Sequence, residues 1–179
     1  MKYIYNILLL VFLCSMSCFV DAAGGPVRTG KPEDVVNSIY RNFIWEITED
    51  IGSRTVLIEQ PITVLEQYFS PKLAQLIVND RKYVERTKEV GHLDFILLSG
   101  SQDPIGISNI RINRKHGTNI VTVLYDQNGE KDVMKIDNYC IHTKKGWRIS
   151  DMHYISRESK SFPVHGPESS LLELLSQPY

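Results

Sequence analysis

The spacing of hydrophobic residues changes once along this chain, and that change limits the fold more than any other feature of the sequence. Between residues 32 and 88, apolar side chains recur three or four positions apart, as they do on one face of a helix. After residue 104 they recur at every second position, which is typical of a strand with one buried face. Helices followed by strands predict an α+β fold.

The first part of the chain predicts three helices, over residues 32–47, 61–69 and 71–88. Pro32 suits the first turn of a helix, and the acidic Glu33 and Asp34 follow where the helix dipole favours negative charge. Ser70 before Pro71 is typical of an N-cap. A loop is expected between the first two helices.

The second part predicts four strands, over residues 105–112, 118–125, 132–142 and 147–155. Short turns separate them, and Asn128-Gly129 is the strongest hairpin signal. An irregularity is expected near Ser108-Asn109, where the alternation slips. Strands joined in this way form an antiparallel meander, and the helices are expected to cover one face of it.

The N-terminal segment, residues 1–22, is typical of a secretory signal peptide. Lys2 precedes an apolar run, and Val20-Asp21-Ala22 suits a cleavage site after Ala22. We therefore expect a periplasmic or secreted protein with no membrane span after cleavage. An alternative is lipid attachment at Cys18, although Ser15 stands where a lipobox normally has leucine.

The mature chain divides into a flexible lead (residues 23–31), an α+β domain (32–156) and a polar tail (157–179) that ends in a short amphipathic helix. Cleavage removes Cys14 and Cys18, so no intrachain disulfide is expected. Cys140 alternates in register with Met134 and Ile136, which predicts an inward-facing thiol.

The charge balance argues against a nucleic-acid partner, because 20 basic residues face 21 acidic ones and no basic excess remains. The five histidines show no metal-ligand spacing. The sequence also lacks a glycine-rich phosphate loop and a nucleophile elbow. We therefore expect neither a metal nor a cofactor.

Three motifs carry a resemblance to a known family: residues 65–73 (LEQYFSPKL), Asp94-Phe95 ahead of Gln102-Asp103, and residues 146–152 (GWRISDM). Over residues 33–156 the chain resembles the nuclear transport factor 2-like superfamily, a cystatin-like cone. Within that superfamily it is similar to small secreted bacterial proteins of unassigned function. The resemblance implies a curved sheet that wraps around N-terminal helices. Members include lipoproteins, periplasmic binders, immunity proteins and enzymes such as ketosteroid isomerase and scytalone dehydratase.

A cone enzyme needs ionisable groups that point into its cup. If the chain is an enzyme, the candidates are Asp151, His153 and Asp94, because a buried Asp beside a His can exchange protons with a substrate. Asp151 and His153 are two positions apart and should share a face with Trp147 and Ile149. In the alternative interpretation, the two aspartates satisfy backbone donors and His153 lies on a solvated rim. Candidate ligand-binding residues are Asp94, Asp103, Tyr40, Trp45 and Tyr83.

No constellation of residues reaches catalytic quality, so the leading hypothesis is a non-catalytic binding protein of the bacterial envelope with a protein partner. One version is an immunity protein that inhibits a secreted toxin. The alternatives are an isomerase or hydratase with its site in the cup, and a small-ligand carrier with an apolar cup. An enzyme or carrier should have a pocket with a few polar groups in an apolar lining.

Overall fold

The computed structural model describes residues 30–48, 52–102, 104, 106–156 and 170–179 of the chain. The predicted signal peptide with Cys14 and Cys18 lies outside the described residues, and so does Asp103, one of the predicted ligand-binding residues. The predictions made for these positions therefore stay predictions.

The helices follow the predicted order, with one break. They are α1 (Pro32–Phe43), α2 (Trp45–Thr48), α3 (Ile62–Tyr68), α4 (Pro71–Thr87) and the C-terminal α5 (Leu171–Leu174), and a 3-10 turn spans Leu57–Glu59. A turn at Ile44 divides the predicted first helix into α1 and α2. The Ser70 hydroxyl accepts a hydrogen bond from the Leu73 amide at 3.3 Å, which confirms the predicted N-cap of α4.

Four antiparallel strands form one sheet in the order β1-β2-β3-β4, where β1 is Ile107–Arg114, β2 Ile120–Gln127, β3 Glu130–Thr143 and β4 Gly146–Ser156. The register shifts between Ser108 and Arg111, as the slip in alternation predicted. Asn128 and Gly129, with φ angles of 51° and 84°, form the β2–β3 turn that the Asn-Gly pair predicted. The predicted α+β class, with helices packed on a curved antiparallel meander, is confirmed.

The core lies between the helices and the sheet face that they cover, which we call the inner face. The sheet contributes alternate residues to it, among them Val121, Val123, Met134, Ile136 and Cys140. Cys140 is buried, as predicted, and burial raises the pKa of its thiol to about 12. A thiol with so high a pKa is a poor nucleophile, so Cys140 contributes packing rather than chemistry.

Residues Phe95–Gly100, which we call the closing segment, fill the end of the inner face. Three buried tyrosines donate hydrogen bonds to three consecutive carbonyl oxygens of this segment: Tyr154 to Leu97 at 3.1 Å, Tyr40 to Leu98 at 2.8 Å and Tyr125 to Ser99 at 2.6 Å. Each tyrosine is at most 2% exposed. The backbone of the closing segment therefore satisfies the hydroxyl groups of these three buried tyrosines.

The free edge of β4 is covered by two segments of the same chain. Phe69 forms a parallel bridge with Ile149, and Ser170 forms an antiparallel bridge with His153. After Ser170, the side chains of Leu171 and Leu175 enter the core. The amphipathic helix predicted for the tail is therefore docked on the domain, and its backbone protects a sheet edge that would otherwise be open to pairing.

Candidate functional site

The structure brings together two of the predicted catalytic residues, Asp151 and His153. Asp151 Oδ2 lies 2.9 Å from His153 Nε2. The same carboxylate accepts hydrogen bonds from the Ser170 hydroxyl at 2.7 Å, from the Leu172 amide at 2.9 Å and from the Met152 amide at 2.8 Å. With four donors around it, the Asp151 carboxylate ties the C-terminal segment to β4.

The predicted orientation of this pair is wrong. Asp151 pairs with Tyr139, whereas Ile149 pairs with Cys140, so a bulge leaves Ser150 without a register partner. The bulge reverses the alternation, because one extra residue moves every later side chain to the opposite face. Ile149 faces the core, as do Met152 and Tyr154, and Asp151 and His153 lie on the outer face.

We expect the substitution Asp151→Ala to loosen the C-terminal segment and to lower the free energy of unfolding by about 2 kcal/mol. The Ser170 hydroxyl and the Leu172 amide, which donate to the Asp151 carboxylate, then lose a charged acceptor. Hydrogen exchange at the Leu172 amide should accelerate, and thermal denaturation should give the loss of stability. His153→Ala is the matched control, since it removes one partner and leaves the Leu172 contact. Unchanged protection at Leu172 would contradict this role of Asp151.

The three aromatic residues predicted to bind a ligand lie apart from one another. Tyr40 is in the core under the closing segment. The Trp45 indole donates to the Asn42 carbonyl oxygen at 3.0 Å, and the guanidinium of Arg54 lies 4.5 Å from the centroid of its ring. The ring of Tyr83 stacks on the C-terminal Tyr179 with centroids 3.8 Å apart. All of these contacts are made within the chain, and the three aromatic residues do not form one lining.

A pocket of about 320 Å³ lies beside α2, between the 3-10 turn and the start of the closing segment. Six apolar side chains and three polar ones line it: Val56, Ile58, Leu93, Phe95, Ile96 and Leu97, with Glu46, Asp94 and Gln102. Few polar groups in a mainly apolar lining, at the lower end of the usual volume range, are typical of a small-molecule site.

Glu46 is the most unusual of the lining residues, because it is a charged residue type that is only 4% exposed. Its Oε1 accepts a hydrogen bond from the backbone amide of Leu57. Burial raises the pKa of Glu46 from 4.5 to about 7, the Leu57 hydrogen bond opposes that rise, and the charge of Glu59 adds to it. Near neutral pH, this carboxyl therefore changes between a neutral and a charged form.

Asp94, a predicted site residue, lies at the rim of the same pocket. Its carboxylate is exposed and accepts a hydrogen bond from the Gln102 side-chain amide at 2.8 Å. The side chains of Gln102 and Asp94 are therefore joined to each other at the pocket rim. Of the predicted site residues that the structure describes, Asp94 alone lines this pocket.

Glu46 is not among the residues predicted for a site, although the sequence contains a signal for it. Glu46 follows Ile39 by seven positions and Phe43 by three, so it continues the apolar face of the first helix. A charged residue at such a position either marks the edge of the apolar face or is a buried functional group. The pattern cannot separate these two cases, because the residues that enclose Glu46 come from distant parts of the chain.

A second, smaller pocket of about 240 Å³ lies at the β3–β4 turn, where several basic side chains come together. It is lined by Glu66, Pro71, Thr143, Lys144, Lys145 and Arg148. Arg148 donates to the backbone oxygens of Glu66 and Trp147, at 2.6 Å and 2.7 Å. Lys145 Nζ lies 3.3 Å from the Glu66 carboxylate. Arg148 thus joins β4 to α3, and Lys145 joins the β3–β4 turn to α3.

Among the residues that the structure describes, no group of three His, Cys, Asp or Glu side chains could hold a metal ion. No helix within the described ranges is long and apolar enough to cross a membrane. Comparison of the chain with models of known families, with curated proteins and with solved structures found no match.

Proposed function

We propose that this chain is an exported, non-catalytic binding protein that holds a small, largely apolar ligand in the Glu46 pocket. The observation that carries the proposal is a glutamate that is 4% exposed and lines a mainly apolar cavity of about 320 Å³. Burying a carboxyl without a charged partner is unfavourable. A group retained in that position is typical of a site that recognises something.

Binding is favoured over catalysis by the polar groups that surround Glu46. A carboxyl with a pKa near 7 could remove a proton from a substrate, as a cup-type isomerase or hydratase requires. Such a reaction also needs donors aimed at the negative charge that develops on the substrate. Among the described lining residues, the one amide side chain is that of Gln102, and it donates to Asp94.

The location of the pocket also favours a carrier over a cup enzyme. The nuclear transport factor 2-like resemblance remains part of the proposal, and it would place chemistry between the helices and the inner face. In this chain the closing segment takes the hydroxyl groups of Tyr40, Tyr125 and Tyr154. The pocket beside α2, with its volume of about 320 Å³, offers room for a small ligand.

The protein partner expected from the sequence, including a toxin inhibited by an immunity protein, stays a prediction. The exposed side chains of Ile141 on β3 and Ile155 on β4 are the places where such a partner would first be sought. Export to the periplasm or medium is proposed from residues 1–22 alone.

The test of a small-ligand function uses the mature chain, residues 23–179, and hexan-1-ol as a neutral apolar probe. In an amide NMR titration, we expect shifts to concentrate at the lining residues. Ile58→Phe should weaken binding at least about tenfold, because a larger ring takes up pocket volume. Val90→Phe is the matched control, since Val90 is 77% exposed and does not line the pocket. Shifts scattered over the surface, or equal binding by both variants, would overturn the proposal.

A further inference from the structure

We infer that the Glu46 pocket selects a small apolar amine, bound as its ammonium ion with the charge against Glu46 and the hydrocarbon part against the apolar wall. This inference rests on the proposed function and names the class of ligand. It is carried by the charges of the lining, by the hydrogen bonds of Glu46 and by the shape of the apolar surface.

The charged side chains that line the pocket are both acidic. Glu46 lies inside it and Asp94 at its rim, and the described lining contains no lysine, arginine or histidine. Around Glu46, the neighbouring 3-10 turn adds a third carboxylate, Glu59. Two guanidinium groups also lie nearby but outside the described lining: that of Arg54 over the Trp45 ring, and that of Arg81, which donates to the carbonyl oxygens of Ile58 and Gln60. A cation entering the pocket would meet favourable potential, whereas a carboxylate or phosphate would be repelled.

The hydrogen bonds of Glu46 point to the same class of ligand. Within the described residues, the carboxyl makes one hydrogen bond, from the Leu57 amide to Oε1. Its second oxygen is therefore available to a ligand. An ammonium group has three donors and no acceptor, so it satisfies a carboxylate without presenting a lone pair to it. A charge-assisted hydrogen bond of this kind is roughly twice as strong as a neutral one.

The apolar wall sets what the rest of the ligand must be. Ile58, Leu93, Phe95 and their neighbours leave the ammonium site lined mostly by hydrocarbon. Small polar cations such as inorganic ions would lose their hydration there and gain little in return. A ligand with a hydrocarbon body gains by burying it, at about 25 cal/mol for each Å².

The experiment compares three probes of equal chain length: hexylamine, hexan-1-ol and hexanoate. Amide NMR titrations of the mature chain at pH 8 should show hexylamine binding at least about tenfold more tightly than hexan-1-ol, with hexanoate weakest. Hexylamine stays charged between pH 6 and pH 8, whereas Glu46 is mostly protonated at pH 6. The affinity of the chain for hexylamine should therefore be about tenfold lower at pH 6 than at pH 8, because it follows the fraction of Glu46 that is ionised.

Two variants separate the charge of Glu46 from the general acidity of the surface. Glu46→Gln keeps an oxygen that can accept from Leu57, so it should still bind hexan-1-ol and should lose the preference for hexylamine. Asp94→Asn removes a rim charge and should change hexylamine binding less than about threefold, as expected for an exposed carboxylate. A carboxyl NMR titration of the wild-type chain adds a readout that needs no variant. Hexylamine should lower the apparent pKa of Glu46, and hexan-1-ol should not.

The outcomes separate the two proposals. Equal affinity for hexylamine and hexan-1-ol at pH 8, or an unchanged Glu46 titration with hexylamine bound, would overturn the ammonium inference and leave the small-ligand function standing. Failure of all three probes to bind would overturn both. If hexanoate binds more tightly than hexylamine, the pocket prefers an anion and the ammonium inference is overturned.

Discussion

Replacing Gly100 with alanine is expected to lower the free energy of unfolding by about 3 kcal/mol, as measured by urea denaturation. Gly100 has a φ of +67°, where an alanine is strained by about 1–2 kcal/mol. An added Cβ would also lie 2.6 Å from Cδ1 of Tyr154. Tyr154 is 1% exposed and donates to the Leu97 carbonyl oxygen, so its ring cannot move without disturbing the closing segment.

Gly117→Ala is the matched control for that experiment. Gly117 has a similar φ of +70°, but nothing lies within 4 Å of the position where its Cβ would be. The Gly117→Ala control therefore has the backbone strain without the clash, and we expect its free energy of unfolding to fall by about 1 kcal/mol. If both variants lose the same free energy, the contact between Gly100 and Tyr154 does not constrain the closing segment.

The order of the elements was predictable from the sequence because it depends on local periodicity. Apolar spacing places the helices before the strands, and turn chemistry at Asn128-Gly129 marks the boundary between β2 and β3. Ser70 marks the start of α4 in the same local way. Each of these signals needs only a few neighbouring residues, so no knowledge of the tertiary structure is required.

The closing segment could not be predicted in this way. Its sequence, Phe95 to Gly100, has no clear period, and its role depends on tyrosines that are distant along the chain. Tyr40 is 58 residues from its acceptor Leu98, and Tyr154 is 57 from Leu97. Local pattern carries no information about which hydroxyl will meet which carbonyl.

The candidate site shows the same limit. The proximity of Asp151 to His153 was predictable from their spacing, but the face that they occupy was not, because the bulge at Ser150 has no clear sequence signal. For Glu46, the sequence places a carboxyl on an apolar helix face. Its burial becomes visible only when Leu57 and Phe95 are placed around it.

The substitution Glu46→Gln is expected to make the chain more stable at pH 8, by about 3 kcal/mol, and to leave its stability at pH 4 nearly unchanged. The pKa of Glu46 is 4.5 in an ordinary environment and about 7 in the folded chain. Between these values the folded chain holds a proton that the unfolded chain has lost, so stability falls as pH rises from 4.5 to 7. Glutamine carries no charge, so the variant does not lose stability in this way. Urea denaturation of the wild type and the variant at several pH values gives the difference in their free energies of unfolding.

Glu59→Gln is the control, because Glu59 is a neighbouring exposed carboxylate and its substitution should change stability by less than about 0.5 kcal/mol. A difference between Glu46→Gln and wild type that does not vary with pH would show that the Glu46 pKa is not raised.

If the difference grows with pH as expected, the native chain keeps a carboxylate that weakens its own fold. A bound cation would offset that penalty, because it pairs with the ionised form and stabilises the folded state by an amount that grows with the logarithm of its concentration. Hexylamine should therefore raise the denaturation midpoint of the wild-type chain at pH 8 by more than it raises that of Glu46→Gln, and hexan-1-ol should raise the two about equally.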